Sequence, residues 1–194
     1  MEIIRHRINT LAELNQLDVL LGAELDIRSR NGNIILSHEP HRRGDLFKDY
    51  LSCCVQSHRP GTLILNVKED GLEEDILRLL SDIGINKYFF LDLSIPTTVR
   101  LCFKNRIRNV AIRVSEYETI ESALQFKGVA DWVWLDSFSG KPPGTRLAKT
   151  LKRYFKICLV SPELEGHPPE QIHRFRTLIP YADAVCTKYD GLWK

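Results

Sequence analysis

The stretch Gly22-Ala23-Glu24-Leu25-Asp26-Ile27-Arg28 predicts a β-strand that carries two carboxylates among small and apolar residues. Successive side chains of a strand point to opposite faces, so Glu24 and Asp26 project from the same face. Two like charges side by side repel unless a cation or a change of protonation compensates them. We therefore expect this strand to be functional, and a divalent metal ion is the simplest compensating cation.

Two histidines flank this strand in the sequence. His6 and Arg7 end the first apolar run of the chain, and His38 follows Asp26 by twelve residues. Because imidazole exchanges protons near neutral pH, we expect His6 and His38 to act as general acid and base. For either histidine alone, a hydrogen-bonded structural role at a strand end is the simpler alternative.

Short apolar runs alternate with amphipathic stretches along the chain. The runs that predict strands are Ile3 to Arg5, Ala23 to Arg28, Thr62 to Val67, Lys87 to Leu91, Asn109 to Val114, Trp132 to Asp136, Ile157 to Val160 and Asp183 to Thr187. The stretches that predict helices are Leu11 to Leu21, Asp45 to Val55, Leu72 to Ile83, Ile95 to Lys104, Thr119 to Phe126, Gly144 to Tyr154 and Pro169 to Ile179. Trp132 and Trp134 share one strand face, which we expect to pack against the helices.

This alternation predicts an α/β fold, because near-continuous apolar strands separated by helices are typical of a parallel sheet covered by helices. Eight such units predict a compact (β/α)8 barrel of the triosephosphate isomerase (TIM) type, with short loops, as one domain over residues 1–194. Asn31-Gly32 predicts a turn into an extra strand, Ile34 to Leu36, that returns His38 toward the barrel mouth. A doubly wound open sheet is the alternative, but no glycine-rich phosphate loop follows the first strand.

Composition excludes several classes of protein. The net charge of +2 and the even spread of basic residues do not indicate a nucleic-acid partner. The five cysteines lack C-x-x-C spacing, which argues against a disulfide framework and a zinc site. No signal peptide is evident, and no segment approaches the ~20 apolar residues that span a bilayer. We therefore expect a cytoplasmic protein without membrane insertion.

The carboxyl ends of barrel strands meet at one mouth, where such barrels carry out their chemistry. The residues that the predicted strands bring there are His6, Arg7, Glu24, Asp26, Asn66, Lys68, Asp92, Arg113, Asp136, Glu163 and Lys188. Arg113 and Lys188 either bind an anionic group of the substrate or pair with neighbouring acids, and the sequence does not separate these alternatives.

Several segments resemble motifs of the glycerophosphodiester phosphodiesterase family, which belongs to the superfamily of barrels similar to phosphatidylinositol-specific phospholipase C (PI-PLC-like). These segments are His6-Arg7, Asn9-Thr10-Leu11, Glu24 to Arg28, Ile34 to His38, Leu65-Asn66-Val67-Lys68 and Ala182 to Thr187. The resemblance covers both ends of the chain, and its middle depends only on the order of elements.

The resemblance implies a role for each matching residue. These roles are general acid and base for His6 and His38, phosphate contacts for Arg7 and Lys68, and ligands of Mg²⁺ or Ca²⁺ for Glu24, Asp26 and Asn66. Two positions depart from the family pattern, which usually has glutamate in place of Asn66 and aspartate in place of Lys188. An asparagine ligand brings no charge, so we expect weaker metal binding.

The function implied is a metal-dependent phosphodiester hydrolase that acts on a small polar substrate, such as a glycerophosphodiester or a sugar-linked phosphodiester. One alternative is a barrel that has lost turnover and only binds a phosphorylated small molecule, which Asn66 and Lys188 favour. Another is a metal-free phospholyase in which a cationic side chain replaces the metal. The pair of Glu24 and Asp26 argues against it, because metal-free relatives carry an arginine in place of one carboxylate.

Overall fold

The computed structural model describes residues 1–59 and 61–194. Within them, the strands are β1 (Glu2–Arg5), β2 (Gly22–Arg30), β3 (Asn33–Leu36), β4 (Leu63–Val67), β5 (Tyr88–Leu91), β6 (Ala111–Val114), β7 (Trp132–Leu135), β8 (Lys156–Val160) and β9 (Ala184–Thr187). They form one sheet in the order β5-β4-β2-β1-β9-β8-β7-β6, and β3 pairs with β2.

Helices connect these strands. They are α1 (Leu11–Gln16), α2 (Phe47–Gln56), α3 (Glu73–Ile83), α4 (Ile95–Val99, continued by a π-helical turn over Arg100–Lys104), α5 (Ile120–Leu124), α6 (Thr145–Leu151) and α7 (Ile172–Phe175). Thr10 and Glu13 form a capping box that begins α1, and Ser94 and Thr119 cap α4 and α5. Among the described residues, no helix has the length and apolar character needed to cross a membrane.

Eight of the strands form a nearly closed parallel barrel. Every neighbouring pair along the sheet order is parallel, and only β3 runs antiparallel to its partner β2. At the seam, β5 and β6 meet through the bridge between Phe90 and Val110, and the Phe90 amide donates to the Asn109 carbonyl at 2.8 Å. The predicted compact (β/α)8 barrel is therefore confirmed.

Alternate strand residues fill the barrel interior. One buried cluster contains strand residues such as Ile4, Phe89 and Cys158, whereas the larger cluster joins the other strand faces to the helices. Trp132 and Trp134 belong to the interior cluster, so the prediction that they pack against the helices is wrong. Trp132 instead stacks on Phe89, with ring centroids 4.6 Å apart.

Several predicted helices are shorter in the structure. The first ends at Gln16 rather than Leu21, because Leu17 is extended (φ −69°, ψ 137°) and the Asp18 carboxylate accepts the Leu20 amide in a turn. The segment predicted as a helix from Pro169 to Ile179 consists of short 3₁₀ and α turns. Local side-chain hydrogen bonds and proline account for such breaks, which apolar periodicity alone does not reveal.

Candidate active site at the barrel mouth

Arg7 links the residues predicted for the site. It follows β1 with a left-handed backbone (φ 55°), a conformation rare for residues with a side chain. Its amide donates to Glu24 Oε2 at 2.8 Å, and its Nη2 lies 2.6 Å from His38 Nε2. Its Nε lies 3.7 Å from Asp26 Oδ2. The unusual backbone turn thus lets one residue contact both carboxylates and the second histidine.

The two carboxylates lie along β2 inside the barrel wall. Leu25 and Ile27 face the helices in the outer core, so Glu24 and Asp26 face the interior, where their side chains are 1% exposed. Burial and the neighbouring Asp26 charge raise the pKa of Glu24, although hydrogen bonds from the Arg7 amide and Asn66 oppose this shift. Two carboxylates that lie side by side in the barrel interior are stable only when hydrogen-bond donors or cations surround them.

Each oxygen of this pair has a protein donor or cation. Glu24 Oε1 accepts from Asn66 Nδ2 at 3.0 Å, and its Oε2 accepts the Arg7 amide. Asp26 Oδ1 lies 3.1 Å from Lys68 Nζ, and its Oδ2 accepts from Asn9 Nδ2 at 2.8 Å. Two carboxylates therefore meet two cations, Arg7 and Lys68, so the charges in this group balance.

Asn9 is a site residue that the sequence did not predict. Besides donating to the Asp26 carboxylate, its Oδ1 accepts the Asp26 amide at 2.8 Å. The two bonds form a closed pair between the loop after β1 and strand β2. Asn9 does lie in the Asn9-Thr10-Leu11 segment of the family resemblance, and that match was the available signal.

The environment of His6 keeps its imidazole ring neutral at neutral pH. Its amide donates to the Thr187 carbonyl of β9 at 3.0 Å, and its Nε2 lies 3.7 Å from Glu24 Oε2. Burial, followed by the charges of Arg7 and Lys188, lowers the pKa of His6 to about 4. At neutral pH the ring can therefore accept a proton, and its buried Nδ1 has no hydrogen-bond partner among the described residues.

The extra strand carries His38 to the same mouth, as predicted. Strand β3 returns antiparallel to β2, with Leu36 opposite Ile27, and the Ser37 amide donates to the Asp26 carbonyl at 2.9 Å. His38 Nδ1 lies 2.7 Å from the exposed Glu39 carboxylate. Since Arg7 donates to Nε2, the proton of the neutral ring resides on Nδ1 and is donated to Glu39.

The predicted metal ligands do not fit a divalent cation as they are arranged. All four oxygens of Glu24 and Asp26 face protein donors within 3.1 Å, and Asn66 turns its amide nitrogen to Glu24. Of these three residues, only Asn66 keeps an oxygen, Oδ1, without a hydrogen bond or ion pair, and it is neutral. In the described part of the chain, no group of three or more His, Cys, Asp or Glu side chains is arranged to hold a metal ion.

Arg113 lies among acids on the opposite side of the mouth. Its guanidinium donates to Asp136 and Asp92, and its Nε lies 3.9 Å from Glu118. Pairing with neighbouring acids, one of the two alternatives for this residue, is thus the arrangement that the structure contains. Burial raises the pKa of Asp136 to about 6, although the Arg113 charge opposes the shift.

The other residues named from strand order lie after β8 and β9. The buried Glu163 carboxylate accepts from Thr187 Oγ1 at 2.6 Å, from the Lys188 amide at 2.9 Å and from the Ser161 hydroxyl. These bonds fix the backbone that presents Lys188. The Lys188 side chain is exposed and has no ion-pair partner in the described residues.

Comparison with known proteins finds relatives by structure but not by sequence. No family model matches the chain, and no curated protein matches it. Solved structures do match over nearly the whole chain. A protein of Galdieria sulphuraria identified as a candidate glycerophosphodiester phosphodiesterase superposes with a TM-score of 0.74 and 13% identity, over 98% of this chain and 95% of that one.

Two further structures agree. The glycerophosphodiester phosphodiesterase of Agrobacterium tumefaciens gives a TM-score of 0.68 at 13% identity, over 100% of this chain and 98% of that one. The glycerophosphoryl diester phosphodiesterase of Parabacteroides distasonis gives 0.66 at 13% identity, over 96% and 82%. This chain has the fold of the glycerophosphodiester phosphodiesterases. The predicted resemblance is confirmed at that level, and the chemistry must be argued from the mouth itself.

Proposed function

We propose that the barrel mouth binds and hydrolyses a phosphodiester of a small polar alcohol, such as a glycerophosphodiester or a sugar-linked phosphodiester. The observation that carries the proposal is the position of Arg7, which contacts His38 and both carboxylates at once. Phosphodiester cleavage needs cations beside the non-bridging oxygens and two proton carriers, and these groups are neighbours here.

Three cations are the proposed phosphate ligands. Arg7 and Lys68 border the carboxylate pair, and Lys188 is exposed and without a partner among the described residues. A guanidinium binds two phosphate oxygens with parallel hydrogen bonds, whereas an ammonium acts as a point charge. The predicted substrate contact of Arg113 stays a prediction, although its donors are engaged by three acids.

The two histidines divide the proton transfers in this proposal. Neutral His6 takes a proton from the attacking water as its oxygen forms a bond to phosphorus, and the bond to the alcohol oxygen breaks. A phosphate that draws Arg7 away frees His38 Nε2 to take up a proton from solvent and to deliver it to that alcohol oxygen. Glu39 holds the ring by its Nδ1 throughout.

A divalent cation at Glu24, Asp26 and Asn66 stays a prediction, and no step above is assigned to it. Titration calorimetry with Mg²⁺ and Ca²⁺ tests it directly. Because the carboxylate oxygens face protein donors and Asn66 brings no charge, we expect weak binding to the unmodified chain, and we expect Asn66→Glu to tighten it. Equal or weaker binding in that variant would count against Asn66 as the third ligand position.

The proposed activity is tested by turnover on a panel of glycerophosphodiesters, sugar-linked phosphodiesters and an activated aryl phosphodiester, with and without chelator. We expect turnover by the unmodified chain, its loss in His6→Gln, and no change in His173→Gln, an exposed histidine outside the mouth. The binding-only alternative is favoured by Asn66, which satisfies Glu24 without a metal. Phosphate binding with no turnover on any substrate would establish that alternative. The single domain and cytoplasmic location stay predictions.

A further inference from the structure

A second group of cations lies outside the mouth, around the hairpin formed by β2 and β3. Arg28, Arg30 and Arg42 line a cavity of about 380 Å³ together with His41 and Glu69. None of the mouth residues His6, Arg7, Glu24, Asp26 or Lys68 lines it. The cavity is therefore a separate feature of the molecule.

The charges in this cavity are not balanced. Three guanidiniums against one carboxylate leave an excess of +2 when His41 is neutral. The Glu69 carboxylate accepts the Ser29 amide, and no arginine of this group has a carboxylate within ion-pair distance in the described chain. Elsewhere, Arg5, Arg100 and Arg108 each pair with an acid at 2.8 Å or less. The lack of an ion-pair partner distinguishes the three arginines of this cavity from Arg5, Arg100 and Arg108 in the described chain.

Two of these arginines are already held in place. Arg28 Nε donates to the His38 carbonyl at 3.2 Å, and Arg30 Nη1 donates to the His41 carbonyl at 2.8 Å. Each keeps further N–H groups for a ligand, and Arg42 uses none of its side-chain donors within the described residues. Preorganised guanidiniums lose less conformational entropy when they bind an anion.

We propose that this cavity binds a phosphomonoester or inorganic phosphate dianion as a second site, distinct from the mouth. A dianion matches the excess charge of +2, and its oxygens accept the paired N–H groups that guanidinium offers. Because Arg28 also holds the His38 carbonyl, an anion in the cavity fixes the loop that positions His38. The proposal does not depend on turnover at the mouth.

Titration calorimetry of the full chain with inorganic phosphate tests this site. We expect two phosphates per chain. The double variant Arg30→Gln/Arg42→Gln should weaken one of them at least about tenfold, which is ~1.4 kcal/mol, and Lys68→Met should weaken only the other. The matched control, Arg78→Gln/Arg174→Gln, removes the same charge from exposed helical positions and should change neither.

The outcomes separate the two sites. A single phosphate that depends on Lys68 but not on Arg30 and Arg42 overturns the cavity proposal and leaves the mouth proposal intact. Equal weakening in the control variant overturns it too, because the effect would then follow net charge. A single phosphate that depends only on the arginines supports the cavity and counts against the mouth.

One further arm identifies the source of the phosphate group. Co-sedimentation with vesicles of phosphatidylcholine, with and without phosphatidic acid, distinguishes a lipid headgroup from a free anion. Binding to phosphatidic acid that is lost in Arg30→Gln/Arg42→Gln, but not in the control, assigns the site to the headgroup. Phosphate binding in calorimetry without vesicle binding assigns it to the free anion.

Discussion

The two sides of the barrel mouth contain carboxylates and cations in different proportions. On the side of β1, β2 and β4, two carboxylates face two cations, Arg7 and Lys68. On the side of β5, β6 and β7, one cation, Arg113, serves three carboxylates. An incoming phosphate can share the cations of the first side, whereas on the second side it would meet excess negative charge. Charge balance therefore favours the first side as the place where the proposed phosphodiester would bind.

Burial acts on both sides in the same way but on different groups. It lowers the pKa of His6 to about 4 and raises the pKa of Asp136 to about 6, because in each case the interior disfavours the charged form. The first side thereby keeps a neutral base at physiological pH. The second side keeps a carboxyl group whose raised pKa its arginine opposes.

The largest effect is expected on turnover at the first side. His38→Gln and His6→Gln should each lower kcat by ~10² to 10⁴, because each removes one proposed proton carrier. The double variant should cost little more than the worse single variant, since the two groups act as a unit. Steady-state kinetics at saturating substrate measures this. Fully multiplicative losses would show that the two histidines act independently.

On the second side, Arg113→Met should strongly lower the free energy of unfolding. It leaves the buried Asp136 without its cation, and breaking such a pair costs about 3 to 5 kcal/mol. Adding Asp136→Asn should recover part of the loss. Denaturant unfolding at pH 7 measures both variants. If Lys68→Met, on the balanced side, is equally destabilising, the contrast between the two sides fails.

The contributions of His6 and Asp136 to the pH dependence of stability should have opposite signs. Between pH 4 and 6.5 the unfolded chain holds a proton on His6 that the folded protein lacks, so His6 makes the free energy of unfolding rise with pH. Between pH 3.8 and 6 the folded protein holds a proton on Asp136 that the unfolded chain lacks, so Asp136 makes it fall.

These opposed contributions, roughly 3 kcal/mol each, offset one another in the unmodified chain. Replacing one of the two groups should reveal the pH dependence of stability that the other one causes. The free energy of unfolding of each variant is compared with that of the unmodified chain at the same pH. As pH rises from 4 to 6, this difference should become more unfavourable for His6→Gln and more favourable for Asp136→Asn. Denaturant unfolding across this range measures both slopes, and slopes of the same sign would refute the assignment.

The smallest effect is expected from Asn9→Ala, which tests how Asp26 is held on the first side. Asn9→Ala removes two hydrogen bonds to Asp26 but leaves Lys68 beside that carboxylate. Hydrogen bonds to charged groups contribute about 1.5 to 3 kcal/mol, so a loss near the lower value is expected. Thermal unfolding measures it, with Thr10→Ala as the control for loss of the α1 cap. Equal losses in the two variants would mean that Asn9 acts only through the helix.

Local pattern was enough to predict the barrel, since β7 and β9 lie within one residue of their predicted limits. It also placed Glu24 and Asp26 on one face. It did not reveal that Asn9 would pair with Asp26 or that Arg113 would meet three acids, because apolar periodicity locates strands but does not say which polar side chains at neighbouring strand ends contact each other. The sequence also did not predict that Trp132 lies in the barrel interior. Both faces of its strand are buried, so apolar character does not distinguish the interior face from the face that packs against the helices.

The pairing of β1 with β9 has a consequence for how the protein is made. His6, Glu24 and His38 all lie in the first third of the chain, yet the His6 amide is held by the Thr187 carbonyl. A nascent chain therefore carries both histidines of the candidate site long before β9, the strand that holds the His6 amide, has left the ribosome. The candidate site residues are synthesised early, and the last strand to emerge completes the hydrogen bond that holds His6.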